Sequence, residues 1–333
     1  MNAHVASVQS SPTLGQIRAL VQHDFDEANS LIDRQLYSQV PLVVEIGRYI
    51  VGSGGKRLRP LIVLLAAKAC SYIGNAQIKL AVLVEFLHTA TLLHDDVVDA
   101  SGKRRGKRTV NVLWGNAPSV LVGDFLYSRA FQLMVEIDSM PLMEIISRAT
   151  NVIAEGEVLQ LQNSGNTEIT ESEYLEVIRC KTAMLFQAAA HSSATLAGAD
   201  AQVRNALRDF GCHFGIAYQL IDDWLDFAGD SEVMGKNVGD DLAGGKATIP
   251  LIYTMRMGSP SEVACVRNAI RNRSQKELSF VIAAVRTSGA LDYCKALAEK
   301  HTQLCIECLE EVPNNTYREA LVALARLAMY RAY

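Results

Sequence analysis

"KLAVLVEFLHTATLLHDDVVD", residues 79–99, is the stretch that decides the fold. Its apolar residues recur at spacings of three and four, the mark of a helix with a buried face. The run ends on three aspartates, Asp95, Asp96 and Asp99. Bunched carboxylates repel one another and are costly to desolvate beside an apolar face. A chain that keeps them there needs cations to relieve the charge.

The same period continues along "SVLVGDFLYSRAFQLMVEI" (119–137), "LMEIISRATNVIAEGEVLQLQ" (142–162), "ESEYLEVIRCKTAMLFQAAAHSSATLAGA" (171–199), "NALRDFGCHFGIAYQLIDDWLDF" (205–227) and "REALVALARLAMYRAY" (318–333). Breaks fall at Gly, Ser, Asn and Pro clusters such as "GSGG" (52–55) and "VPNN" (312–315). Alternating apolar and polar runs are scarce, and no shift in composition marks a linker. The pattern predicts an all-α, single-domain bundle over residues 1–333, of about ten or more helices, with 1–11 a flexible N-terminus. Segment 184–197 is apolar nearly all round, so it belongs inside a ring of other helices.

Composition narrows the function. Of 333 residues, 49% are hydrophobic and 20% charged, a globular balance. A net charge of −4 gives no general attraction to nucleic acid, so any basic site is local. No apolar stretch reaches the ~18–20 residues of a membrane span, and "MNAHVASVQSSPTLGQ" lacks the layout of a signal peptide. These readings predict no transmembrane segment and a cytoplasmic protein. Seven scattered cysteines point to free thiols. His301, Cys305 and Cys308 offer a zinc alternative, but they lie in an amphipathic helical pattern with no second CxxC, which favours buried thiols.

At ~100° per residue, Asp95 and Asp99 share one helix face with Asp96 beside them. That geometry suits carboxylates on a hard divalent cation, Mg²⁺ above all. A lone DDxxD reads equally as a solvated helix end, and Asp96 equally as a structural residue. The motif recurs, however, as Asp222, Asp223 and Asp226 in "QLIDDWLDF" (219–227), 127 positions on (222 − 95). On facing helices the two clusters make one acidic mouth, and metal held there calls for an anionic ligand.

Basic partners stand at three places. "GSGGKRLRP" (52–60) offers Lys56 and Arg59 behind two glycines, without the P-loop spacing. "SGKRRGKR" (101–108) follows the first aspartates at once, which favours a substrate role for Arg104 and Arg105 over a nucleic-acid patch; Lys103, Lys107 and Arg108 read as solvated. Lys181 and Thr182 in "RCKTAML", and Lys236 and Lys246 in "GKNVGDDLAGGKAT" (235–248), complete the set; Asp240 and Asp241 read as part of that loop.

Taken with "GGKRLRP", "HTATLLHDDVVD", "VGDFLYSRAF", "AEGEVLQL" and "GKNVGDDLAGGKATIPL", these residues resemble the trans-isoprenyl (polyprenyl) diphosphate synthases, the long-chain octaprenyl type in particular. The resemblance covers the chain from about residue 12 onward. It implies an isoprenoid-synthase bundle around a deep central cavity, a homodimer, and three Mg²⁺ bridging both motifs to an allylic diphosphate. Asp95, Asp99 and Asp222 would be metal ligands, with Asp96, Asp223 and Asp226 supporting. Lys56, Arg59, His88 and Arg105 would hold isopentenyl diphosphate; Arg104, Lys181, Thr182, Gln219 and Lys236 the allylic substrate, with Lys246 nearby. His88 reads as a packed core histidine on its own, but it lies two turns before Asp95 on the same face. His94 reads as structural.

The chemistry implied is departure of diphosphate, with Asp95, Asp99, Asp222, Arg104 and Lys181 as the catalytic set, and attack of the isopentenyl double bond on the allylic cation. Leu87, Ala90 and Thr91, one and two turns behind Asp95, would set chain length: small side chains there leave room for a long tail. The expected product is octaprenyl diphosphate for a quinone side chain, with transient membrane contact on release. Shorter- or longer-chain synthases and a non-catalytic subunit of a heteromeric synthase are the alternatives within the family. A class I terpene cyclase typically alters the second motif; a ferritin-like carboxylate protein needs a second ExxH beside Glu85 and His88; an HD phosphohydrolase needs further histidines.

Overall fold

The computed structural model describes residues 12–228 and 239–329. The chain runs α1 (Leu14–Ala19), α2 (Gln22–Gln35), α3 (Pro41–Val51), α4 (Leu58–Ala69) and α5 (Ala76–Val98), then a two-stranded ribbon, β1 (Lys103–Arg104) and β2 (Lys107–Arg108). It continues as α6 (Val110–Trp114), α7 (Asn116–Ile137), α8 (Met140–Gln162), α9 (Glu171–Ile178), a π-helical turn (Arg179–Ala183), α10 (Met184–Leu196) and α11 (Ala201–Ala228). The last part comprises α12 (Asp240–Ala243), α13 (Ile249–Met257), α14 (Pro260–Asn272), α15 (Leu278–Thr287), α16 (Ala290–Cys308) and α17 (Thr316–Met329). Local chemistry sets several starts. Thr13 with Gln16, Thr170 with Glu173 and Ser259 with Glu262 form capping boxes at α1, α9 and α14, each satisfying two otherwise orphaned donors.

Helix α5 is the axis. Leu80 to Val84, Phe86, Ala90 and Leu93 are fully buried, so the helix is covered on more than the single face its period suggests. Its neighbours are α2, α4, α7 and α10. Each large side chain so buried contributes about 1.5–3 kcal/mol. By length and composition alone α5 is long and apolar enough to cross a membrane, which corrects the reading that no stretch reaches that length; 67% of its most apolar window is buried inside the protein, as in a core helix. Helix α10 is buried almost all round, as its sequence requires, among α4, α5, α8 and α11.

Two cores adjoin along α11. Val203, Leu207, Phe210 and Phe214 join the larger one around α4, α5 and α10. Ile216, Leu220, Ile221, Leu225 and Phe227 join a second one with α13 to α16. The second aspartate motif therefore rides on a helix anchored at both ends of its length.

The basic octamer forms a ribbon that the all-α reading did not foresee. Lys103 pairs with Arg108 and Arg104 with Lys107 across a two-residue turn. Arg105 (φ 51°) and Gly106 (φ 75°) are both left-handed, as such a tight hairpin turn requires. Tyr49 Oη, on α3, donates to the Arg108 carbonyl at 2.7 Å and ties the ribbon to the bundle.

All seven cysteines are free. His301, Cys305 and Cys308 do not gather: Cys305 Sγ donates to the Phe210 carbonyl at 3.5 Å, and His301 Nδ1 faces His213 Nδ1 at 3.0 Å.

Candidate active site

The last turn of α5 sorts its aspartates by orientation. Asp99 is exposed and Asp95 half-buried, whereas Asp96 has no exposed surface. Asp96 Oδ1 accepts from Arg104 Nε at 2.9 Å and from Nη2 at 2.7 Å, and Oδ2 accepts from Nε at 3.1 Å. A charge this deep is stable only while paired, and losing one partner of a buried pair costs about 3–5 kcal/mol. Asp96, a metal candidate by sequence, is thus engaged in holding the ribbon to α5. Arg104, assigned to the allylic substrate, spends its fork on that carboxylate.

The second motif divides in the same way. Asp222 is half-buried, while Asp223 and Asp226 are turned inward. Asp223 Oδ2 accepts from Tyr174 Oη at 2.5 Å and Oδ1 from Gln219 Nε2 at 2.9 Å. Burial raises its pKa to about 8, with the nearby Asp241 charge adding to the shift. Asp223, also a metal candidate by sequence, has both oxygens on protein donors. Asp95, Asp99 and Asp222 are the aspartates of the two motifs that keep appreciable exposed surface.

Lysines meet the outward aspartates. Lys246 Nζ lies 2.8 Å from Asp99 Oδ2, across 147 positions of sequence. Lys181 Nζ lies 2.5 Å from Glu157 Oε2 and 3.8 Å from Asp95 Oδ2. Burial pushes the Asp95 and Glu157 carboxyls up, and Lys181 pulls both back. The Lys246 ammonium is raised because the charges of Asp241, Asp99 and Asp95 outweigh its burial. Among the described residues no three His, Cys, Asp or Glu side chains converge on a ready metal position. The donor chemistry still fits a hard divalent ion: Asp95, Asp99 and Asp222 present carboxylate oxygen alone. The nearest nitrogen donor in sequence, His94, is turned to the Val120 carbonyl and Asp124.

The π-turn places Lys181 and Thr182. Such turns frequently sit at functional sites because they break helical register. Here two glycines let it in. A Cβ on Gly156 of α8 would come 2.7 Å from Cys180 Cβ, and one on Gly215 of α11 would overlap the Ala183 backbone. Thr182 Oγ1 donates to Gln219 Oε1 at 3.0 Å. The sequence reading put Lys181 and Thr182 on an ordinary helix; the packing, not local propensity, makes the difference.

A second basic group lies beside the first motif. Gly54 (φ 83°), Gly55 (φ 132°) and Arg57 (φ 45°) bend the chain into α4. A Cβ on Gly55 would stand 2.5 Å from Arg105 Nη1, and that guanidinium also donates to the Gly54 carbonyl. The Arg59 guanidinium stacks 4.0 Å from the centre of the Phe186 ring. Burial lowers its pKa to about 10, with Arg105 adding to the effect, so it stays charged at neutral pH. His88 is pushed well below the ordinary imidazole range by burial, then by Arg59, Arg105 and Arg104, and is neutral. Lys56 is half-buried in the same loop, its carbonyl accepting from Arg18 Nη2 at 3.1 Å. Lys236 lies outside the described residues.

Three carboxylate or phenol groups at the site were not assigned from sequence. Glu85 sits among Arg57, Arg59 and Arg105, its pKa raised by burial against their pull. Glu157 holds Lys181, and Tyr174 holds Asp223. Gly156, just before Glu157, was the available signal, since a glycine inside a helix marks close approach.

The arrangement therefore offers two cationic groups flanking an acidic rim, at the end of the largely apolar helix α5. The polyprenyl synthetase family profile matches residues 40–285. The chain is 48% identical over 319 residues to octaprenyl diphosphate synthase of Escherichia coli K12, covering 96% of this chain and 99% of that one. It is 47% identical over 317 residues to the geranyl-diphosphate-specific all-trans-nonaprenyl-diphosphate synthase of Rhodobacter capsulatus, covering 95% and 97%. The crystal structure of a Caulobacter crescentus CB15 polyprenyl synthase, complexed with calcium and isoprenyl diphosphate, superposes with a TM-score of 0.93 at 44% identity, covering 97% and 99%. Likeness over the whole length, on the same helical frame, makes this chain a member of the polyprenyl synthetase family.

Proposed function

We infer that the chain is a long-chain all-trans-polyprenyl diphosphate synthase, a metal-dependent prenyltransferase that adds isopentenyl diphosphate head-to-tail to an allylic diphosphate such as farnesyl diphosphate. The observation that carries the reading is the pairing of Lys181 with Asp95 and of Lys246 with Asp99. Carboxylates for metal and ammonium groups for phosphate oxygens stand side by side at the end of an apolar helix.

Mg²⁺ is the ion proposed, three with substrate bound, held by Asp95, Asp99 and Asp222 and by the substrate's own phosphates. Bound there, it neutralises charge building on the departing diphosphate. The chain's part is to orient and to exclude water. Lys181, Thr182, Gln219 and Lys246 hold the allylic diphosphate, with Lys236 assigned there by resemblance. Lys56, Arg59, Arg105 and neutral His88 hold isopentenyl diphosphate. As the allylic C–O bond breaks, the isopentenyl double bond attacks the resulting cation, and the released diphosphate accepts the proton lost from the new chain.

The octaprenyl product is proposed from the relative of that name and from small side chains at Ala90 and Thr91, with Leu87 one turn deeper. The reading extends to a quinone side chain as its use and to the cytoplasm, the latter supported by seven free thiols. A homodimer is supported by exposed Leu121, Phe131 and Val135 along one side of α7; sedimentation should then give twice the 36.4 kDa chain mass. Incubation with labelled isopentenyl diphosphate, farnesyl diphosphate and Mg²⁺, followed by sizing of the extracted chain, tests the function; no incorporation overturns it.

The two basic groups should separate in kinetics. Arg59→Ala is expected to raise KM for isopentenyl diphosphate by at least about tenfold and KM for the allylic primer far less, with Lys181→Ala doing the reverse, because each removes a charged contact to one substrate. Equal effects on both substrates would refute the division of pockets.

A further inference from the structure

Behind the π-turn lies a cavity of about 120 Å³ lined in part by Tyr174, Lys181, Thr182, Gln219, Asp223 and Lys246. Four of these are joined in one chain of hydrogen bonds. Tyr174 Oη donates to Asp223 Oδ2 at 2.5 Å, Gln219 Nε2 donates to Asp223 Oδ1 at 2.9 Å, and Thr182 Oγ1 donates to Gln219 Oε1 at 3.0 Å. The chain crosses three elements, α9, the π-turn and α11. Tyr174 is 7% exposed and Asp223 fully buried, so water does not replace a lost donor at this end.

The polarity of the chain follows from its buried end. Asp223 Oδ1 takes the Gln219 Nε2 donation, which sets the Gln219 amide with its nitrogen inward and its oxygen toward Thr182. Thr182 then spends its proton on Gln219, and Gln219, Thr182 and Lys181 all line the cavity. Without the Tyr174 hydroxyl, Asp223 keeps a single donor, its carboxyl is no longer pinned from the Oδ2 side, and Oδ1 loses the fixed position from which it holds the Gln219 amide.

We infer that Tyr174 is a positioning residue for prenyl transfer, setting the orientation of Gln219 and Thr182 toward the allylic diphosphate through Asp223. This rests on the functional reading above. The phenol touches neither substrate nor rim carboxylate; it acts by fixing a side-chain orientation.

Tyr174→Phe keeps the ring and removes one oxygen. KM for the allylic substrate should rise about tenfold, KM for isopentenyl diphosphate should stay within about twofold, and the two effects should separate in initial-rate kinetics. In a Gln219→Ala background the same change should add less than about twofold, because the group it orients is gone. A purely structural role would lower the amount of active enzyme and leave both KM values alone. Should the phenylalanine variant not fold, Asp223→Asn serves: Tyr174 and Gln219 donate to different oxygens of Asp223, and an amide has only one oxygen that accepts, so the same selective rise is expected. Unchanged allylic KM, or effects that multiply across the cycle, would overturn the inference. Wild-type turnover in the same assay separates the two levels, since its absence overturns the functional reading and its presence beside an unchanged variant overturns only the role of Tyr174.

Discussion

Replacing Asp95 or Asp222 with alanine is expected to cut turnover by at least about 100-fold, the scale for losing one key electrostatic element in a reaction driven by departure of an anion. Both groups are half-buried at the rim rather than in a core, so circular dichroism and the unfolding midpoint should stay close to the parent's. Removing Asp95 also leaves Lys181 bound to Glu157 at 2.5 Å, so the loss is one of metal binding and not of the lysine's position. Chelation by EDTA should abolish activity in the parent and Mg²⁺ restore it. The inward aspartates should behave otherwise. Asp96→Ala strips Arg104 of a buried partner and should cost about 3–5 kcal/mol in urea unfolding, a loss of fold more than of metal. Full activity in metal-free enzyme, or equal stability losses at Asp95 and Asp96, would refute the division into outward and inward carboxylates.

That division shows where sequence reading ends. Helical period and two DDxxD motifs made the all-α bundle, α5 and α11 legible, because burial in a helix leaves a repeat in the chain. Which aspartate of an adjacent pair faces the rim is not written locally. Neighbouring residues differ by ~100° about the axis, and the answer is set by what the helix packs against. The ribbon at 103–108 escaped notice because its four paired residues are all basic and its turn is Arg-Gly, without the alternation that betrays strands. The π-turn depends on contacts from Gly156 and Gly215, 24 and 32 positions from Cys180 and Ala183, the turn residues they touch (180 − 156 and 215 − 183). Glu85, Glu157 and Tyr174 look like ordinary helix residues until the lysine, arginines and aspartate they meet are brought to them.

Ala90→Tyr tests what makes this a long-chain enzyme. Ala90 is fully buried on α5, five residues before Asp95, and so ~7.5 Å back along the helix axis from the metal rim. If the growing tail passes it, a large ring at this position fills the path, since a packed interior has no slack for it. Products should fall from about forty carbons, the octaprenyl length of the relative, to about fifteen to twenty, the point at which the tail meets the ring. The first condensation takes place at the rim, where no group has changed, so its kcat should move by less than about tenfold, or ~1.4 kcal/mol. Overpacking should lower stability by about 1–3 kcal/mol, which urea unfolding measures separately from product length. A folded, active variant that still makes the full-length product would show that the tail leaves along another helix face, and Leu87 and Thr91 would then lose their proposed role with Ala90.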